Sequence, residues 1–346
     1  MKHQMRKRTG GASVVALAVC LAIATLLVLP ALQAQTKLPD FAPVLESTKA
    51  RAFAVDPQKG YVVQQVKPNI YVITDGMYQS VFVPTGKGVI LFDAPASFGP
   101  KIIQAVADVT KEPIVLLVYS HSHVDHTAGA SIVLKAIPGL QILSEEGTAQ
   151  YLQEKKDPRR PVPTQTFKDH RTLKFGSATV ELKRGNWHSN EGDLFIYLPG
   201  KKVLMAVDTI APGYVPFQDF DLTTNMHAYL EMFDQMLAYD FDVLVPGHLT
   251  SLGNREDVKI SKAYAMDVYE TVKRIHSGTD QMHLMAEGAA KYSWDNKFAL
   301  FRTVLDDVRE RAATEIKGRW MEKLAGVDIY SDSHCRAMLT YVRWDD

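Results

Sequence analysis

The sequence predicts an α/β chain, a four-layer αβ/βα sandwich with a C-terminal helical extension, and three observations carry that prediction. Two blocks of short apolar runs, within 61–92 and 178–207, are each followed by amphipathic helical stretches. The run at 114–119 is continuously apolar, as in a strand buried on both faces. From about residue 255 the apolar positions recur at helical spacing almost without interruption. Two sets of strands with helices outside them are layers that bury one another's apolar faces.

Taken in order, residues 1–34 stand apart. Lys2, Arg6, Lys7 and Arg8 precede an uncharged apolar run over 12–29, Pro30 breaks it, and small and polar residues follow through Ala34. This is the layout of a secretory signal cleaved after Ala34, which predicts a periplasmic or secreted protein. The run is also long enough to span a bilayer, so an uncleaved anchor is the alternative. Cys20 lies inside the run, behind a residue too large for a lipoprotein cleavage box. Once the signal is removed only Cys335 remains, and no intramolecular disulfide can form.

Residues 35–58 are polar and proline-punctuated and read as a strap or linker. The first β-rich block has strands at 61–66, 69–74, 80–83 and 89–92, divided by turns such as Pro84-Thr85-Gly86-Lys87-Gly88. A helix at 100–109 leads into the buried strand at 114–119. Helix at 131–137, strand at 141–143 and helix at 145–154 follow. Residues 157–166, with three prolines and two adjacent arginines, read as an exposed loop. The second block has strands at 178–182, 194–198 and 203–207, then a helix at 225–237 and a strand at 243–245. The main domain is expected over 59–252 and a helical region over 253–346. There Val258, Tyr264, Val268, Val272 and Ile275 mark one amphipathic helix, and 298–324 contains another. That region reads as helices packed on the sandwich, with a lid or a homo-oligomer interface as the alternative.

Composition narrows the function. At 46% hydrophobic and 23% charged the chain is an ordinary globular one. Lys+Arg and Asp+Glu both total 39, so the formal charge is zero and no basic field exists to hold nucleic acid.

The chemistry sits in Ser120-His121-Ser122-His123-Val124-Asp125-His126-Thr127, directly after the buried strand. Three histidines and an aspartate within six residues do not suit a core, where each imidazole needs its own partner. Neutral imidazoles and a carboxylate are what Zn²⁺ takes, and iron and manganese also accept them. On a straight strand His121 and His123 share a face and His126 points away. A loop leaving the strand can wrap and send some ligands to one metal, some to a second.

His121-Ser122-His123-Val124-Asp125-His126 resembles the signature of the metallo-β-lactamase superfamily, and the remaining elements appear in order. Gly185-Asn186-Trp187-His188 resembles the segment that supplies a third histidine, Ala206-Val207-Asp208-Thr209 the one holding a bridging aspartate, and Pro246-Gly247-His248 the last histidine. The resemblance spans about 61–251. It implies two metal sites: His121, His123 and His188 on one, and Asp125, His126 and His248 on the other, with Asp208 bridging. Asp208 has two alternative roles, orienting other groups or capping the turn before Thr209.

The implied activity is that of a binuclear hydrolase, in which a hydroxide shared by two Zn²⁺ opens a small cyclic or acyl substrate such as a β-lactam, lactone or thioester. Asp125 would orient the nucleophile and accept its proton. Ala211-Pro212-Gly213-Tyr214 resembles a segment of one lactamase branch, and there Tyr214 would bring a phenol to the substrate. Trp187 would line the pocket or simply pack. His227 borders the Asp208 loop but reads as a solvated helix residue, and His170, His276, His283 and His334 read as surface or structural. Asp332, His334 and Cys335 lack further ligands at metal spacing. The chain runs almost a hundred residues past His248, further than those lactamases, so the resemblance does not name the substrate. The alternatives are an iron-dependent oxidoreductase on the same fold and a phosphodiesterase.

Overall fold

The computed structural model describes residues 39–189 and 191–346. The signal or anchor expected over 1–34 lies outside the described residues, and among these no helix is long and apolar enough to cross a membrane. Residues from Ala42 to Asp346 form one compact unit.

The first sheet has seven strands in sequence order: β1 (Val62–Lys67), β2 (Ile70–Thr74), β3 (Gln79–Pro84), β4 (Val89–Phe92), β5 (Ile114–Val118), β6 (Gln141–Glu145) and β7 (Gln165–Phe167). β1 to β4 pair antiparallel, and β4 to β7 pair parallel. The second sheet is ordered β12-β11-β10-β9-β8, from β8 (His170–Phe175), β9 (Ala178–Gly185), β10 (Asp193–Leu198), β11 (Val203–Ala206) and β12 (Val243–Val245). The strands named from the sequence are all present within a few residues of their expected bounds. β7 and β8 were not foreseen. β8 alternates exposed and half-buried positions, so its apolar signal is weak.

The period-two pleat explains the layers. In β4, Ile90 and Phe92 face the core between the sheets, while Val89 and Leu91 face outward onto α2 (Lys101–Val109) through Ile102, Ala105 and Val106. In β10, Leu194, Ile196 and Leu198 fill the inter-sheet core and Phe195 and Tyr197 face the opposite helices. Strands buried on both faces become continuous apolar runs, as the sequence displays them.

The remaining helices are α1 (Glu46–Lys49), α3 (Val124–Thr127), α4 (Ala130–Ala136), α5 (Glu146–Lys155), α6 (Met226–Leu237), α7 (Arg255–Ser277), α8 (Gln281–Tyr292), α9 (Lys297–Trp320) and α10 (Val327–Trp344). The stripe Val258, Tyr264, Val268, Val272 and Ile275 is buried as its spacing predicts. It joins Phe195, Leu204, Phe233, Val308, Ile316 and Met338 in one core, so the C-terminal helices complete the outer face of the second sheet. α7 opens with a reciprocal cap between Asn254 and Asp257. Arg51, in the segment expected as a strap, donates to both oxygens of Asp257 at 2.6 Å.

One expectation is corrected. The 157–166 segment is not wholly exposed: Arg160 is buried, pairs with Asp157 and donates through Nη1 to the carbonyl of Ser122 at 2.7 Å. A guanidinium needs several acceptors, and the histidine-rich loop supplies one.

Candidate metal centre

The expected ligands leave the same end of both sheets. β5 ends at Val118 and runs into the histidine loop, β9 ends at Gly185 just before His188, β11 ends at Ala206 before Asp208, and β12 ends at Val245 before His248. His123 has extended backbone and precedes the single turn of α3, so the chain bends there and swings Asp125 and His126 away from the line of His121 and His123. Asp208 sits at φ 55°, a left-handed position that aspartate tolerates better than most residues.

The ligand atoms converge in two groups, His121, His123, His188 and Asp208 in one and Asp125, His126 and His248 in the other, each within 4.8 Å. In the first, His188 Nε2 is 2.8 Å from His123 Nδ1, and Asp208 Oδ2 is 3.2 Å from His121 Nε2 and 3.5 Å from His188 Nε2. In the second, His126 Nε2 is 3.1 Å from His248 Nε2, and Asp125 Oδ2 is 3.7 Å from both. Asp208 Oδ1 faces this second group, 2.9 Å from His248 Nε2 and 3.4 Å from His126 Nε2. Asp208 therefore divides its two oxygens between the groups.

These residues fit a pair of cations. His121 Nε2 and Asp208 Oδ1 are buried with no hydrogen-bond partner of acceptable geometry, a costly state unless something else binds them. Imidazole nitrogens that face one another at 2.8 and 3.1 Å converge on one point, the arrangement of ligands to a common cation. Burial pushes His188 down to about 4 and His121 below the ordinary histidine range, which keeps both neutral, as ligation requires. Burial opposes a charge on His126 too, but Asp208, Asp125 and Asp93 outweigh it and lift that ring to about 9. For Asp208 burial is outweighed by His126 and His188, and its carboxyl stays far below the usual range.

Behind the ligands lie residues that the sequence did not single out. Asp93, at the end of β4, accepts the Ser120 N–H at 2.7 Å and places Oδ2 3.8 Å from His126 Nδ1. Asp193 accepts from the backbone of His188 and from the N–H and hydroxyl of Ser189, fixing the loop that carries His188. Burial raises Asp93 to about 6 and Asp193 to about 7. Tyr78, from the β2–β3 hairpin, sets its ring 5.0 Å from that of His248 and 5.8 Å edge-on to His126. A lone aspartate or tyrosine gives no spacing signal. For Asp93 the one hint was its place after an apolar strand.

Other expectations sort themselves by contact. Tyr214 is partly exposed, bridges its backbone to Ala325, and has no hydrogen bond or ring contact with the ligands among the described residues. The phenol that lies against them is that of Tyr78. Trp187 is buried and donates to the Val207 carbonyl at 2.9 Å, so it braces the Asp208 loop from within. His227 is exposed beside Glu231, and His334 is a buried structural residue bonded to Tyr264 and Phe217.

Over 200 residues the chain is 27% identical to the 2,4-dinitroanisole O-demethylase subunit alpha of Nocardioides sp. (strain JS1661). That match takes in 56% of this chain and spans 59% of the relative's length. The chain is similar in fold to a metallo-beta-lactamase from Pontibacter korlensis, with 19% identity, a TM-score of 0.51, and coverage of 59% of this chain and 97% of the other. The family model described as the metallo-beta-lactamase superfamily matches residues 73–248, which hold every ligand of both groups. On that match and this geometry, the chain belongs to the metallo-beta-lactamase superfamily.

Proposed function

We propose that the protein is a binuclear metal-dependent hydrolase that opens a small cyclic or acyl substrate, a β-lactam, lactone or thioester. The observation that carries this reading is the division of Asp208 between two histidine groups. In this assignment His121, His123 and His188 hold one cation, Asp125, His126 and His248 hold the other, and Asp208 serves both. Two cations held there supply a hydroxide nucleophile at neutral pH and a charge that polarises the electrophile. Asp125 is the half-exposed carboxylate of the set, so it can face the substrate side, orient the nucleophile and take its proton. Asp93 holds the start of the histidine loop through the Ser120 N–H, and Asp193 holds the His188 loop. Tyr78 walls the His248 side of the site. Zinc is the proposed metal, and export to the periplasm or beyond is the proposed location.

The test is turnover by zinc-loaded protein of a cephalosporin, a carbapenem, a lactone and a thioester, each followed by absorbance. At least one is expected to turn over, with loss of turnover in His121→Ala. Failure of all four with two zincs bound would reject the substrate class.

One observation favours a second reading, since the Nocardioides relative is named an O-demethylase. An iron-dependent oxidoreductase would remove a methyl group as formaldehyde, consuming dioxygen and two electrons from a donor. Hydrolysis of the same aryl ether would give methanol and a phenolate with no oxidant. Incubation with 2,4-dinitroanisole under nitrogen separates the two: methanol without dioxygen supports the hydrolase, and formaldehyde only in air supports the oxidoreductase.

A further inference from the structure

Away from the ligand loops, α9 and α10 present matched charged stripes to each other. Residues 321–326 join the two helices, and so short a connection makes them antiparallel neighbours. On α9, Arg302, Asp306 and Arg309 follow one another at steps of four and three. On α10, Arg336, Thr340 and Arg343 do the same. Side chains at that spacing share one helix face. In the antiparallel register Arg309 comes level with Arg336, and Arg302 with Arg343.

These faces border a cleft of about 120 Å³, to which Leu305 and the buried Leu339 add an apolar wall. Four guanidiniums therefore line the cleft against a single carboxylate, that of Asp306. Only Arg309 spends its donors fully. Its Nη1 lies 3.0 Å from Asp306, its Nη2 donates to Glu310 at 2.9 Å, and its Nε is 3.1 Å from Asp332. Even so, that buried Nε–H has no hydrogen bond of acceptable geometry.

The other three hold donors in reserve. Among the described residues Arg302 bonds Asp306 through Nε alone, at 2.5 Å, and Arg336 bonds Asp219 through Nη2 alone, at 2.7 and 2.6 Å. Arg343 is half-buried and forms no ion pair there; its guanidinium lies 5.0 Å over the Trp344 ring. A guanidinium carries five N–H donors in a planar fork, matched to the oxygens of phosphate and carboxylate. Cations gathered round one space repel each other, and an oxyanion placed between them removes that repulsion and takes the spare donors. The volume is well below the roughly 300–1,000 Å³ of pockets for drug-sized ligands, so it suits one small group.

We propose that the α9–α10 cleft is an anion site for a phosphate group, free or at the end of a phosphate monoester, with Arg302, Arg336 and Arg343 as its donors. It shares no residue with the metal centre and stands independently of the reaction proposed there.

The test is calorimetric titration of the zinc-loaded full chain with inorganic phosphate and with glycerol 3-phosphate, at constant ionic strength in chloride. Saturable binding of at least one is expected. Arg343→Gln has no ion pair to lose and should weaken that binding by roughly tenfold, with Arg302→Gln moving it in the same direction. Melting temperatures in chloride that match the wild type would show both variants folded. His121→Ala, altered at the metal centre, should keep the binding. Tighter binding of glycerol 3-phosphate would identify a monoester as the ligand, and tighter binding of inorganic phosphate the free ion. The absence of saturable binding would overturn the proposal. So would affinity unchanged in both arginine variants, which means an adventitious ion only, or binding lost in His121→Ala and kept in Arg343→Gln, which means phosphate on the metals.

Discussion

His126 lies between two carboxylates, Asp208 3.4 Å from its Nε2 and Asp93 3.8 Å from its Nδ1, the second a charge contact without a hydrogen bond. A carboxylate behind a ligating imidazole orients the ring and raises its basicity. Asp93→Ala is therefore expected to lower zinc affinity by roughly 10–100-fold with the fold intact, read by titration against a chelating dye. The ligands themselves were legible in the sequence because His121, His123, Asp125 and His126 fall together, and because each later ligand follows a strand end. Asp208 was ambiguous there, since a bridge and a turn cap both use an aspartate; its two oxygens face separate histidine groups, which supports the bridge. Tyr78, Asp93 and Asp193 were illegible for a common reason. Each is a single residue of an ordinary type, and its role shows only once the fold supplies its surroundings, His126 and His248 for Tyr78, Ser120 for Asp93 and the His188 loop for Asp193.

At the scale of elements, loop geometry sets where the ligands go. Gly247 has φ +93°, and a Cβ there would lie 2.6 Å from Val207 Cγ1 and 3.2 Å from His126 Cε1. Gly247→Ala is expected to destabilise the protein by about 1–3 kcal/mol and to displace His126, seen as a lower melting temperature together with weaker metal binding. The left-handed turn of Asp219, Phe220, Asp221 and Leu222, all with φ between 53° and 59°, depends in the same way on its anchor, the Ser333 hydroxyl and His334 Nε2 of α10. Each of its four residues costs about 1–2 kcal/mol, and Phe220, wholly buried, offsets part of that cost. Phe220→Ala should lose about 3–5 kcal/mol in denaturant unfolding, at the upper end if the turn relaxes as well. Strands buried on both faces were easy to read, since β4, β5 and β10 are unbroken apolar runs. The turn was not, because Gln218-Asp219-Phe220-Asp221 contains no glycine and nothing local requires left-handed backbone. Its conformation comes from α10, more than a hundred residues away.

Across the whole molecule, His334 is a buried joint between the helical region and the turn. Its Nε2 donates to Phe217, its Nδ1 accepts from the Tyr264 hydroxyl at 2.7 Å, and the ring faces Phe220. Burial pushes its pKa down to about 4, against the favourable carbonyls of Phe217 and Pro216 and the charge of Asp219. The unfolded chain binds this proton near 6.5 and the folded one only near 4. Stability is thus fully present above about pH 6.5 and falls as the pH drops towards 4, by up to roughly 3 kcal/mol. Melting temperatures from pH 7 to 4 should show that slope, and His334→Gln should flatten it. Metal acts on the same balance from the other end of the fold. At a thousandfold excess over its dissociation constant a bound cation adds about 4 kcal/mol, so a chelator should lower the melting temperature and added zinc should restore it.

Anomalous diffraction from zinc-loaded crystals at the zinc edge decides whether two cations share Asp208. The prediction is two anomalous peaks about 3.5–4 Å apart, one among His121, His123 and His188, the other among Asp125, His126 and His248, with one Asp208 oxygen towards each. A single peak, or two peaks with Asp208 turned away from either, would contradict it.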